Sequence, residues 1–70
     1  MIIITLSKNP HTASKRTRNR INEAGPNFIL EKEFGPHRPD EMLLRSTKTG
    51  WFGWLSKQEV IVLKKEEISS

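Results

Sequence analysis

The chain has no cysteine among its 70 residues. Disulfides, thiolate metal sites and cysteine nucleophiles are therefore excluded. Its four glycines are scattered and form no phosphate-cradling loop. Its two histidines, His11 and His37, have no second ligand at a recognised metal spacing, so no metal site is expected. Long apolar runs are missing too. Met1 to Leu6 is too short for a signal h-region, and its nearest cation, Lys8, follows it. No stretch approaches the roughly 20 apolar residues that span a bilayer. These absences predict a soluble cytoplasmic chain with no membrane association and no cofactor.

A chain of this length makes one domain and buries only about 60% of its unfolded surface, so its core is marginal. The most concentrated apolar mass lies in Met42 to Leu63, which holds Trp51, Phe52 and Trp54. A buried aromatic removes roughly 150–250 Å² from water, about 4–6 kcal/mol gross at ~25 cal/mol per Å². The stretch reads as a hairpin over 42–55, turning at Lys48-Thr49-Gly50 with Gly50 supplying positive φ. Gly53 marks a bulge or a close backbone approach. Ser56 to Glu59 reads as one tight 3₁₀-type turn and Val60 to Leu63 as the closing strand.

Upstream, the β-branched run Ile2 to Leu6 predicts a first strand. Ala13, Thr17, Ile21 and Ala24 recur at helical spacing, predicting a helix over about 12–24. Thr12 and Ser14 are rival N-caps, and Gly25-Pro26 is the stop, with Gly25 expected in the left-handed C′ conformation. Phe28 to Phe34 alternates as an outer strand: Phe28, Leu30 and Phe34 share one face, with Lys32 breaking the pattern. Residues 35–40, with two prolines and a glycine, read as a loop. Residues 1–64 form the domain, and 65–70 a frayed polar tail.

Gly53-Trp54-Leu55-Ser56-Lys57-Gln58-Glu59-Val60 resembles the closing segment of SH3 domains, in which a Gly-Trp-aromatic-Pro run passes through a 3₁₀ turn into the last strand. The resemblance covers a limited, C-terminal part of the chain. It implies a small, strongly bent SH3-like barrel. Together with the helix read from spacing, the expected fold is α+β: a small, strongly bent antiparallel sheet or SH3-like barrel of about five strands, with one basic N-terminal helix packed on it. Ser56 stands where that family places a ligand-contacting proline, and Glu59 where it places a tyrosine. The family's Ala-Leu-Tyr-Asp-Tyr opening is missing, so proline-rich peptide binding does not carry over. A basic helix followed by a Trp-rich hairpin also resembles small phage or mobile-element accessory proteins.

Charge carries the sharpest functional signal. Residues 1–25 hold five Lys or Arg against Glu23 alone, whereas residues 26–70 balance at seven of each sign. The whole formal charge of +4 therefore lies in the first third, which points to an anionic partner. On the predicted helix, Lys15, Arg18 and Asn22 run along one side, and Arg16, Asn19, Arg20 and Glu23 along the other. Arginine suits phosphate through its two-pronged donor, and asparagine suits base edges. The helix start could add backbone N–H donors. Lys15 and Arg16 in the first turn and Glu23 near the end oppose the macrodipole, each at about 0.3–1 kcal/mol.

The expected interface is thus Lys15, Arg16, Arg18, Asn19, Arg20 and Asn22, with Trp54 as a base-stacking aromatic. The expected partner is DNA or RNA, bound by a monomer. An acidic host protein surface is the alternative, met by the same helix and the Trp hairpin. His37, Asp40 and Ser46 could be written as a triad, but no nucleophile elbow surrounds them. Glu31 and Glu33 lie in no cleft that would raise a pKa. The chain is read as a non-enzyme.

Overall fold

The computed structural model describes residues 1–35 and 37–68. Strand β1 (Ile2–Lys8) is followed by helix α1 (Lys15–Ala24), β2 (Asn27–Gly35), β3 (Arg38–Ser46) and β4 (Phe52–Ser56). A 3₁₀ turn (Lys57–Glu59) then leads into β5 (Val60–Glu67). All the strand pairings are antiparallel, in the order β4-β3-β2-β1-β5. The fold is a small α+β domain with one five-stranded sheet, and that sheet does not close on itself. The α+β class and the 3₁₀ turn agree with the sequence reading.

The strand order overturns one expectation. Phe28 to Phe34 is not an outer strand: β2 sits in the middle of the sheet, between β3 and β1. The edges are β4 and β5. The register explains why Lys32 seemed to break the alternation. Leu30 lies opposite Leu44, but Lys32 lies opposite Leu43, so the pairing shifts between them. Such a bulge sets two residues against one and flips the side-chain phase. Lys32 therefore falls on the outer face and Glu33, opposite Met42, on the inner one. The expectation for the Phe34 side chain lies outside the described residues.

Two further boundaries differ from the sequence reading. The proline-rich loop shrinks, because β2 runs to Gly35 and β3 begins at Arg38; Pro36 lies outside the described residues. Lys65 to Glu67 is strand, not frayed tail, with Lys65 opposite Ile4 and Glu67 opposite Ile2. Backbone pairing with β1 compensates there for the polar composition. Ser69 and Ser70 lie outside the described residues.

The core is built from the inward residues of every strand: Ile4 and Leu6, Phe28, Met42 and Leu44, Leu55 and Val60. The helix adds Ile21 and Ala24. Phe28, fully buried, is the largest of them. The two tryptophans do not form this nucleus. Trp51 packs half-buried against it, its ring edge-on to Phe28 at 6.2 Å and 79°. Trp54, also half-buried, lies opposite Leu43 on the outer face.

Candidate nucleic-acid interface

Helix α1 owes its position to two clamps. At its start Ser14, not Thr12, is the N-cap: its hydroxyl accepts from the Thr17 backbone N–H at 3.2 Å. Thr12 instead donates its hydroxyl to the Gln58 carbonyl. The Ser14 backbone N–H donates to Glu59 Oε1 at 2.7 Å, and the Asn9 N–H donates to the Glu59 carbonyl at 2.9 Å. The helix start is therefore tied to the 3₁₀ turn. The Ser14 backbone N–H and hydroxyl hold the Glu59 carboxyl below its usual pKa, aided by the Thr17 hydroxyl and the Arg16 charge and opposed by partial burial.

This carboxylate changes the meaning of the helix's charge order. The first turn contains no acid of its own. Glu59 supplies that negative charge through space, from 45 residues away. The macrodipole is thus complemented. The misplaced cations lose force as a sign of function, and one backbone N–H at the helix start, that of Ser14, is already engaged.

At the other end the Ser46 hydroxyl donates to the Ala24 carbonyl and accepts from the N–H groups of Lys48 and Thr49, both at 3.0 Å. One buried hydroxyl thereby joins the helix end to the β3–β4 turn. This is a structural use for Ser46, the serine of the paper triad. Gly25 stands in extended backbone at φ −97° and ψ −165°, not in the left-handed region. Its small size is still required, since a Cβ would lie 2.7 Å from the Ile21 carbonyl oxygen and 3.0 Å from the Phe28 ring. Gly50 does take positive φ, at 79°.

Thr17, Ile21 and Ala24 form the buried stripe of α1. Lys15, Arg16, Arg18, Asn19 and Asn22 are exposed. Among the described residues, Lys15, Arg16 and Arg18 make no ion pair. From Lys15 to Asn22 the helix rises about 10 Å at 1.5 Å per residue. Arg20 stands apart from these. It is half-buried, with its guanidinium carbon 4.7 Å from the centre of the Trp51 ring.

Neither a protein-family model, a curated protein nor a solved structure matches the chain. The reading of the site therefore rests on its geometry.

That geometry does not bring Trp54 to the helix. Strand alternation puts Trp51 on the face that α1 covers and Trp54 on the opposite one. The aromatic beside the basic helix is Trp51, which the sequence reading did not select. The signal was available in Gly53: a Cβ there would meet the Trp51 ring at 2.5 Å, so the glycine leaves room for that ring. Trp54 shares the outer face with Phe52, which is 49% exposed. Arg45 lies 4.6 Å from the Phe52 ring centre and pairs with Glu31 at 3.3 Å. Among the described residues, no group of three potential ligands could hold a metal ion. No helix among them is long and apolar enough to cross a membrane.

Proposed function

We propose that the chain is a small, non-enzymatic nucleic-acid-binding module that grips the phosphate backbone with the solvent face of α1. One observation carries the reading: Lys15, Arg16 and Arg18 project together from a helix clamped at both ends, and none of them is spent on an ion pair among the described residues. A helix held in place loses little conformational entropy on binding, so its cations are presented at low cost. Asn19 and Asn22 on the same exposed surface supply base-edge contacts. Arg20, stacked on Trp51, braces the helix and contributes less charge to the ligand. Trp54 stacks a base only where a strand wraps to the other face of the sheet.

A four-strand meander, a 3₁₀ turn and a last strand returning to β1 support an SH3-like barrel left open between its edges. The departures at Ser56 and Glu59 suit this reading. Glu59 serves the helix cap in place of a peptide-contacting tyrosine. In the alternative reading, a phage-type accessory protein, the same cations meet an acidic host protein. The exposed Phe52 beside Trp54 favours it, as a hot spot on a second face.

The test is an NMR titration of the ¹⁵N-labelled chain with duplex DNA, single-stranded DNA and RNA. Shifts confined to Lys15–Asn22 and the Trp51 indole support the proposal and identify the preferred form. With three cations engaged on a duplex, log K falls with log salt at a slope of roughly −2.7. Silence with all three ligands would sink the proposal and leave the acidic-protein alternative.

A further inference from the structure

The β5 edge of the sheet has its own chemistry, distant in function from α1. Strand β5 has a neighbour, β1, on one side only. Its residues Ile61, Val62 and Leu63 are 42%, 49% and 63% exposed, an apolar run on an unpaired edge. Natural edge strands are normally blunted by charge, and this one carries its charge only from Lys64 onward. Beside the edge, Ile4, Leu30, Met42, Val60 and Val62 line a pocket of about 180 Å³. Its floor is core, since Ile4 and Met42 are buried, while the Val62 wall is open to solvent.

The polar members of that pocket differ in state. Glu33 pairs with Lys57 at 3.3 Å. Lys65, which the β1–β5 register places opposite Ile4 on the inner face, makes no ion pair among the described residues. Its neighbour Lys64 is paired with Glu66 at 3.5 Å. The pocket thus presents an apolar wall, an ion pair and one lysine, Lys65, with no ion pair among the described residues. Its volume falls below the roughly 300 Å³ at which drug-sized sites begin, so it suits one aliphatic side chain.

We propose that β5 is a docking edge for the C-terminus of an extended peptide, which adds as a sixth strand. The terminal aliphatic side chain enters the pocket and the terminal carboxylate meets Lys65. Three features converge on this occupant. The free edge supplies backbone hydrogen bonds, the pocket supplies specificity for one side chain, and the unpaired lysine supplies charge complementarity to a carboxylate. The monomer expected from the sequence remains compatible with this, because the added strand belongs to a different chain.

The probe is a soluble threonine-rich octapeptide ending in leucine with a free carboxylate, titrated into the ¹⁵N-labelled chain. Amide shifts in Ile61–Glu67, with those of Lys15–Asn22 unmoved, are expected. Replacing the terminal leucine by glycine should weaken binding at least tenfold, the value of burying one such side chain. Amidating the carboxylate, or introducing Lys65→Glu, should each weaken it by about fivefold, the upper worth of an exposed charge pair. Lys65→Glu should leave the melting temperature unchanged, because Lys65 is exposed. Silence of β5 would overturn the proposal, as would equal binding of acid and amide. Decanoate binding where the peptide does not would assign the pocket to lipid. Concentration-dependent dimerisation that abolishes the shifts would assign the edge to a second copy.

Discussion

The Ser14 backbone N–H donates to Glu59 Oε1 at 2.7 Å, so the acid that complements the start of α1 comes from the 3₁₀ turn before the last strand. The bond joins two segments far apart in the chain, and it sets where the basic face points. The helix is too short to be stable alone, at about three turns. Its stability is tertiary, and Glu59 is one of the groups that provide it.

The pH dependence of stability follows from that bond. Glu59 titrates below its ordinary value in the folded chain, so its contribution is full above the ordinary glutamate range. It is lost as pH falls through the lowered folded pKa. Glu59→Gln should cost about 1 kcal/mol at neutral pH, a charged hydrogen bond reduced for partial exposure. It should also flatten the acid limb of the stability curve. Urea unfolding at pH 7 and at pH 3 checks both, and an unchanged acid limb would show that Glu59 does not carry this dependence.

Phe28 is fully buried and touches both the helix end, through Gly25, and Trp51. Phe28→Ala should cost about 3–5 kcal/mol. A domain of this size has only about 4–10 kcal/mol in hand. Circular dichroism should show the variant largely or partly unfolded at 37 °C.

Gly53→Ala tests the seat of Trp51. The added methyl would meet the ring at 2.5 Å, so the indole must move. A loss of about 1–3 kcal/mol is expected for overpacking. A changed Trp51 fluorescence, read in a Trp54→Phe background, should accompany it. An Arg20→Ala, Trp51→Leu double-mutant cycle should give a coupling of about 0.5–1 kcal/mol for the stacked guanidinium.

Arg18→Ala and Lys15→Ala separate binding from folding. Both side chains are exposed and unpaired among the described residues, so stability should change by less than about 0.5 kcal/mol. If the proposed nucleic-acid contact is correct, each should weaken binding and flatten the salt slope by about one unit. Slopes unchanged in both variants would remove α1 from the interface.

Local patterns were legible in the sequence because they depend on short range alone. Ile2 to Leu6 reads as strand from β-branching, and Thr17, Ile21 and Ala24 read as a helical stripe from spacing. Gly50 reads as a turn from its tolerance of positive φ. The faces of Trp51 and Trp54 also follow from strand alternation. The cations of α1 are exposed because the stripe on the opposite side must be buried.

Other features needed partners distant in the chain. Which of Thr12 and Ser14 caps the helix was decided by Gln58 and Glu59, whose positions depend on β5 returning to β1. The central place of β2 is a matter of strand order, which alternation does not encode. The phase of Lys32 depends on a bulge against Leu43 and Leu44. Lys65 to Glu67 became strand because β1 offered an unpaired edge, a backbone effect that side-chain polarity conceals. Trp51 and not Trp54 lies beside Arg20 because the Ser46 hydroxyl draws the end of the helix onto the β3–β4 turn. Composition set the charge of this protein; long-range hydrogen bonding decided which surface carries it, because only the folded chain brings those donors and acceptors together.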